Sequence, residues 1–414
     1  MKVVIMAGGK GTRIASVNSD VPKPMIPIDG KSILEYQINA LAAQGYCEII
    51  LIIGHLGHVI RDYFEDGSKW NVQISYIEEN TPLGTAGALF YLKEQIKDDF
   101  LLLNGDIIFD VDIRRFLAYH KAQGTMATIL THPNSHPYDS GIIVADNDGR
   151  ATNWLHKEDP RLWYRNRVNA GLHMLSPRIF SFFSDLQKKD LDRDILKPLI
   201  IQRELSVYDS PEYIKDMGTP DRYYSVIEDI HSGKVAAKNL ARKQKAIFLD
   251  RDGTINKYVG FLTNIDEFEL LDGVAEAIRQ INESGYLAIV ASNQPVIARG
   301  EVSPEELQEI HNKMETLLGQ KGAYLDAIFY CPHHPHKGYE GERPEYKIEC
   351  ECRKPKPGML LAAAEKYNID LTQSWMIGDS DNDIEAGQAA GCRVIKVNTN
   401  SSELSSAVKM ILNQ

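Results

Sequence analysis

Short apolar runs alternate with amphipathic stretches along most of the chain. Lys2–Ala7 (KVVIMA) and Lys245–Leu249 (KAIFL) are two such runs, each followed at once by a polar, glycine-bearing loop, GGKGTR and DRDGT. A continuous apolar run, as opposed to an alternating one, suits a parallel strand buried on both faces. Ile49–Ile53, Ile74–Ile77, Phe100–Leu103 and Ala127–Leu130 read as further strands, with Ser32–Gln44, Ala86–Gln95 and Ile113–Gln123 as helices. The alternation restarts after Gly233. It gives helices over Gly273–Glu283, Pro304–Leu318, Met359–Tyr367 and Ile384–Ala390, and strands over Leu287–Ala291, Ala327–Tyr330 and Trp375–Ile377. This order predicts an α/β chain with crossover helices. Loops at the carboxyl ends of its strands are where such sheets bind ligands. Residues 221–245 read as a closing helix and a polar, basic connector, which divides the chain into 1–232, a linker 233–244, and 245–414.

Composition narrows the class. A length of 414 residues suits two or three domains of roughly 100–200 residues. The 57 acidic against 46 basic residues, net −11, argue against nucleic-acid binding. A phosphorylated substrate would then need cations or metal ions gathered locally. No apolar stretch approaches the ~18 residues of a membrane span, and MKVVIM is too short for a signal-peptide core. The expectation is a cytoplasmic enzyme acting on small molecules, with no nucleic-acid or membrane partner; a homo-oligomer is compatible with this. Cysteines stay reduced in that compartment, so clustered ones point to metal ahead of disulfide. Cys47 and Cys392 stand apart and read as small buried hydrophobes.

In the first domain, AGGKGTR (Ala7–Arg13) follows a strand, so its glycines can bring backbone N–H groups close to phosphate oxygens. It matches neither GxGxxG nor GxxxxGKS. Prolines 22, 24 and 27 stiffen the chain around Lys23, which can then meet a phosphate at little entropic cost. PLGTAGAL (Pro82–Leu89) is a second glycine-rich turn suited to a base or ribose. LLLNGDIIF ends a strand at Asp106, a position for a Mg²⁺ ligand. KDMGTPDRY supplies Asp216, although Thr219 before Pro220 also suits a helix cap.

GGKGTR, KPMIPIDGKSILEYQI, GTAGAL, NGD and DMGTP, in this order, resemble the sugar-1-phosphate nucleotidyltransferase family over about residues 1–232. The resemblance implies a Rossmann-like domain with a mixed sheet flanked by helices. It implies a triphosphate site of Gly8, Gly9, Gly11, Thr12, Arg13 and Lys23, with Glu79, Gly84 and Thr85 at base and ribose. Asp106 and Asp216 would hold Mg²⁺, and Asn169, Gly171 and Lys157 would meet the sugar phosphate. His156 stands where the family usually has Glu before that lysine. Arg13 and Lys23 would carry the charge stabilisation that dominates phosphoryl chemistry.

In the second domain, FLDRDGTIN places Asp250 and Asp252 just past a strand, a spacing that lets one carboxylate be nucleophile and the other exchange a proton. Gly253 and Thr254 form the turn that follows. VASNQ ends a strand with Ser292 and Asn293, RKPKPG brings Arg353 and Lys354 ahead of a helix, and MIGDSDND ends a strand at Asp379. Ser380 and Asp383 are spaced as a capping box. Cys331 and His333, then Cys350 and Cys352, form two close ligand pairs that suit tetrahedral Zn²⁺ with no open position for catalysis. His334 and His336 rank below His333.

The set resembles the haloacid dehalogenase superfamily over about residues 245–400, implying a Rossmannoid domain without a large cap. Asp250 would become the phosphoaspartate and Asp252 the acid and base. Thr254, Ser292, Asn293, Arg353 and Lys354 would contact substrate, and Asp250, Asp252 and Asp379 would hold Mg²⁺. With YCPHHP and CxCRKPKPGM, the likeness sharpens to D-glycero-D-manno-heptose 1,7-bisphosphate 7-phosphatases, with histidinol phosphatases the nearest competitor. NQPVIARG departs from the usual NQSGIARG at Pro295, and Ser380 stands where lysine is common. A phosphatase that leaves heptose 1-phosphate, joined to a transferase that consumes one, implies a bifunctional enzyme making GDP-D-glycero-α-D-manno-heptose from GTP. The competing reading is a transferase for another sugar, such as mannose 1-phosphate, fused to a histidinol-phosphatase-like enzyme.

Overall fold

The computed structural model describes residues 1–9, 14 and 21–414. They divide into two compact units: Met1–His132 with Ile143–Trp154 and Asn169–Ala236, and Ala237–Gln414 with Pro133–Ile142 and Leu155–Val168.

The first unit is built on a nine-stranded sheet. Val3–Met6 lies at its centre, parallel to Glu48–Ile53 on one side and to Phe100–Asn104 on the other. Gln73–Glu78 extends the sheet parallel to Glu48–Ile53. Val168–Leu175 runs antiparallel to Phe100–Asn104, which makes the sheet mixed. Val3, Val4 and Ile5 have no exposed surface, as the apolar run required. Odd and even positions of this strand enter two different cores: Val3 and Ile5 pack with Leu34 and Ile38 of the helix Ile33–Ala42, and Val4 packs with Leu89 and Phe180 on the other face. Ser32 caps that helix by accepting from the Glu35 N–H. A separate two-stranded ladder, Ile107–Asp110 with Tyr213–Asp216, pairs Ile107 with Asp216.

The expected helix over Ala86–Gln95 is a single 3₁₀ segment, Gly87–Leu92. The backbone of 187–189 presses against it. A Cβ on Gly87 would stand 2.4 Å from the Gln187 oxygen, and one on Gly84, at φ +80°, would stand 2.4 Å from the Lys189 oxygen. Close approach of backbone to backbone, which only glycine allows, replaces regular helical packing here.

In the second unit, five parallel strands run in the order Ala327–Cys331, Tyr286–Asn293, Lys245–Leu249, Trp375–Gly378, Arg393–Lys396. Between the first two strands in sequence stand only loops, the turn Ile265–Glu267 and the helix Val274–Glu283. No separate cap domain interrupts the described residues there. The expected helix Ile384–Ala390 begins three residues earlier, at Asp381, because Ser380 and Asp383 close a capping box ahead of it. Phe248 on the central strand is fully buried and packs with Leu287, Met359 and Met376. Its replacement by Ala is expected to lower unfolding free energy by about 3–5 kcal/mol in a denaturant titration; a loss under ~1 kcal/mol would contradict this packing.

Candidate active sites

The first unit encloses a cavity of about 610 Å³ at the carboxyl ends of its central strands. Gly8, Gly9, Lys23, Glu79, Gly84, Thr85 and Asp106 line it, along with His55, Asn80 and Asn104, which the sequence did not single out. The strand Val3–Met6 delivers Gly8, where a Cβ would lie 2.6 Å from the Glu79 Oε2, so the glycine makes room for the carboxylate. Among the described residues Glu79 Oε1 is buried without a hydrogen-bond partner, and burial pushes this carboxyl above its ordinary value against the pull of the Leu83 N–H. The Thr85 hydroxyl accepts from the Leu191 N–H at 2.7 Å, so it holds the segment at 190–191 as well as facing the cavity.

Lys23 donates to the Asp106 carboxylate. Asp216 sits beside Asp106 through the ladder, where the Met217 N–H donates to the Asp106 carbonyl at 2.9 Å. Arg222, in the first turn of the helix Pro220–His231, donates to both Asp216 oxygens at 2.9 and 2.7 Å. Burial raises the Asp216 carboxyl, but Arg222 and the Gly218 N–H outweigh it and hold the group low. Two adjacent carboxylates, each opposed by a cation, form a region that can hold a hard divalent cation and polyphosphate together.

Gly11, Thr12 and Arg13 lie outside the described residues. Asn169 and Gly171 are not on the cavity wall. Gly171, at φ +77°, backs Asn104, whose Nδ2 would stand 2.8 Å from a Cβ there. Lys157 lies in Leu155–Val168 of the second unit, is exposed, and is 4.0 Å from Glu158.

In the second unit, three strands deliver the chemistry. Lys245–Leu249 ends at Asp250, Tyr286–Asn293 at Ser292 and Asn293, and Trp375–Gly378 just before Asp379. Lys354 is buried between them. Its Nζ donates to Asp250 Oδ1 at 2.7 Å, to the Ala291 carbonyl at 2.7 Å, and to Asp383 Oδ1. Asn293 clamps the lysine's backbone, accepting from its N–H and donating to its carbonyl, both at 3.0 Å. Asp250, Asp379 and Asp383 each bring an oxygen within 4.8 Å of the others. Burial pushes Asp250 up to about 7 against the pull of Lys354, with Asp383 and Asp252 adding to the rise. Burial likewise raises Asp379, opposed by Thr399. Three carboxylates around one ammonium leave a surplus of negative charge fit for a divalent cation.

Asp252 is in a different setting, surrounded by donors from Arg251, Gln294 and Asn256. Burial raises its carboxyl, and Arg251 with the amides pulls it below its ordinary value. The Thr254 hydroxyl is buried without a partner among the described residues, and the Ser292 hydroxyl accepts from Gln294 at 2.7 Å. Gly253, at φ +86°, leaves the space where a Cβ would meet Asp379 Oδ2 at 2.3 Å.

The Cys/His loop closes on itself. Sγ atoms of Cys331, Cys350 and Cys352 are 3.2–3.5 Å apart, and His333 Nδ1 is 3.4 Å from Cys352 and 3.7 Å from Cys331. A tetrahedron with metal–sulfur bonds of about 2.3 Å has edges only a few tenths of an ångström longer. Hydrogen bonds from Cys331 draw the Cys352 thiol down to about 5, while the same contact and burial push Cys331 up. Arg353, next in the chain, donates to the His333 carbonyl at 3.2 Å, which ties it to this loop.

Asp383 was legible in sequence only as a cap. It does both jobs at once: Oδ2 accepts from Ser380 N–H at 3.0 Å, and Oδ1 takes Lys354. Gly378 permits this, since a Cβ there would lie 2.4 Å from Asp383 Cγ. Arg251 and Gln294 were also passed over, because one fills the x of DxD and the other follows the assigned Ser-Asn pair.

Compared with known proteins, the chain matches the nucleotidyl transferase family over residues 2–233 and the HAD-hydrolase-like family over residues 351–411. It is 46% identical over 147 residues to a D-glycero-β-D-manno-heptose-1,7-bisphosphate 7-phosphatase of Pasteurella multocida, covering 36% of this chain and 77% of that one. The protein of the same name from Photorhabdus laumondii is 42% identical over 175 residues, 41% of this chain and 89% of that one. Among solved structures, HddC from Yersinia pseudotuberculosis is 28% identical, with TM-score 0.49, covering 55% of this chain and 99% of that one.

Lys354→Met would leave Asp250 and Asp383 buried without their cation. Breaking a buried pair from one side costs about 3–5 kcal/mol, so the denaturant midpoint should fall accordingly. An unchanged midpoint would show that the lysine does not hold the carboxylates together.

Proposed function

The chain belongs to the nucleotidyl transferase family and to the heptose 1,7-bisphosphate 7-phosphatases, and on that premise we propose a bifunctional enzyme of nucleotide-heptose synthesis. The second unit removes the 7-phosphate of D-glycero-D-manno-heptose 1,7-bisphosphate through a phosphoaspartate. The first transfers GMP from GTP to the heptose 1-phosphate that remains, with release of pyrophosphate. Both would act in the cytoplasm. The observation that carries this reading is the presence, on one chain, of a nucleotide-sized cavity at the glycine-rich strand end and the Asp250–Lys354–Asp383 constellation. The named phosphatase relatives act on the β anomer; pairing with guanylyl transfer favours the α anomer here.

The chemistry follows from where the charges sit. An oxygen of Asp250 attacks the 7-phosphorus while Lys354, with the hydroxyls of Thr254 and Ser292, steadies the phosphoryl oxygens. Asp252 exchanges the proton with the sugar oxygen and then with water. Asp250, Asp379 and the Asp252 carbonyl, with Asp383 beside them, would hold Mg²⁺, which neutralises phosphoryl charge when bound. Cys331, His333, Cys350 and Cys352 would hold a structural Zn²⁺ with no open position, fixing the loop from which Arg353 and Lys354 emerge. In the first unit, Asp106 and Asp216 would hold Mg²⁺. Gly8, Gly9, Lys23 and the residues Gly11, Thr12 and Arg13 would receive the triphosphate.

Guanine is favoured by Glu79. Its carboxylate lines the cavity with one oxygen unpartnered among the described residues, and guanine alone among the common bases offers two adjacent N–H donors, N1–H and the 2-amino group, to a carboxylate. Glu79→Gln, which turns one acceptor into a donor, should lower kcat/KM for GTP about 10- to 100-fold against wild type. In a GTP, ATP, UTP and dTTP panel the preference should flatten. An unchanged preference for GTP would remove Glu79 from base selection.

Asp250→Asn should stop phosphate release from heptose 1,7-bisphosphate, a fall of at least about 10³-fold, while pyrophosphate release from GTP and supplied heptose 1-phosphate persists. Asp106→Ala should do the reverse, with transfer down about 10²–10³-fold. Loss of both activities in either variant would contradict the division of labour.

A further inference from the structure

We propose that Arg251, the middle residue of the DRD motif, is a positioning residue for hydrolysis of the phosphoaspartate, holding the Asp252 carboxylate where it receives the proton of the attacking water. The proposal rests on the aspartyl-phosphatase reading given above.

Arg251 has no exposed surface although it carries a full charge. Its Nε donates to Asp252 Oδ1 at 3.2 Å, and its Nη2 to Oδ1 and Oδ2 at 2.9 Å each. Asn256 adds a donor to Oδ1 at 3.0 Å and Gln294 one to Oδ2 at 2.8 Å. All five contacts run toward Asp252, and these groups accept nothing from it. This is the arrangement of a carboxylate, the form Asp252 has after the first half-reaction and before it takes a proton back. The guanidinium is itself fixed. Its Nη1 meets His311 Nε2 at 3.2 Å, and its Nη2 donates to Gln294 Oε1, the side-chain amide oxygen, at 3.0 Å. His311 is buried on the helix Pro304–Gly319, so Arg251 is anchored to a rigid element. A planar fork held at both ends fixes the plane of the carboxylate it binds, which a single ammonium could not do.

The bonds balance as follows. In the first half-reaction an Asp250 oxygen bonds to phosphorus, the phosphorus–oxygen bond to the sugar breaks, and the departing oxygen takes a proton from Asp252. In the second, a water oxygen bonds to phosphorus and the bond to Asp250 breaks. The water's proton passes to Asp252, and inorganic phosphate leaves. Misplacing Asp252 therefore penalises the second half whenever the first does not depend on it.

p-Nitrophenyl phosphate isolates that half, because its nitrophenolate departs without a proton. Full-length Arg251→Met, mixed rapidly with this substrate and Mg²⁺, should release a burst approaching one nitrophenolate per chain. A steady rate about tenfold or more below wild type should follow, with acid-labile phosphate on the quenched protein. A slow rate without burst or trapped phosphate, or a wild-type rate, would overturn the proposal. Because Arg251 is buried and its replacement can disturb folding, a second pair decides independently. His311→Phe removes the acceptor that anchors the guanidinium, and His311→Gln keeps one. Phosphate should accumulate on the Phe variant and not on the Gln variant; equal behaviour of the two would overturn it. Wild type that turns over no p-nitrophenyl phosphate, or Asp250→Asn that still traps phosphate, would instead refute the phosphoaspartate itself.

Discussion

Both candidate sites depend on one electrostatic arrangement: a carboxylate at the carboxyl end of a buried strand, with a lysine against it. Removing charge from water is costly, and a buried carboxylate without a partner either takes a proton or unfolds its surroundings. In the first unit Lys23 meets Asp106; in the second Lys354 meets Asp250 and Asp383. The lysines make these strand ends tolerable as polar sites, and in the proposed function they receive the phosphoryl groups. The second site carries the sharper version. Lys354 bonds two carboxylates with a third, Asp379, beside them; burial, with Asp383 and Asp252 adding to it, holds Asp250 above its ordinary value, and the surplus negative charge suits a cation.

The neighbouring architecture follows from that demand. Lys354 can be buried because Asn293 holds its backbone on both sides and because the Cys/His loop, ending at Cys352, fixes the chain two residues before it. Asp383 can approach because position 378 is glycine. Asp379 keeps its place because position 253 is glycine. Asp252, two residues from Asp250, stands apart from the carboxylate cluster and is placed among N–H donors. The two aspartates of one motif thus have opposite surroundings, one crowded by negative charge and the other by donors. Such separation is how neighbouring carboxyl groups come to play different roles.

Much of this was legible in the chain. Buried parallel strands announce themselves as unbroken apolar runs, and the loops after them begin at the strands' carboxyl ends, where Gly8 and Gly9 line the cavity and Asp250 meets Lys354. The Cys/His pairs were legible because their spacing has few other uses. What the sequence hid falls into two kinds. Gly87 and Gly84 look like helix and turn, yet the backbone of 187–189, a hundred residues away, decides their conformation. Asp383, Gln294 and Arg251 look like a cap, a strand end and a spacer. Their second role comes from partners brought by other strands and helices, and spacing along one stretch cannot show it. Lys157 is a case of its own: its motif suggested the sugar phosphate, and its segment, Leu155–Val168, clusters with the second unit.

The central claim is that one chain prepares a sugar 1-phosphate and then activates it. The most direct measurement gives the full-length protein heptose 1,7-bisphosphate, GTP and Mg²⁺ together, and follows phosphate, pyrophosphate and nucleotide-sugar over time. Phosphate should appear first, pyrophosphate should follow after a lag, and one GDP-heptose should form per phosphate released. Pyrophosphate without prior phosphate release, or phosphate release with GTP left untouched, would contradict it.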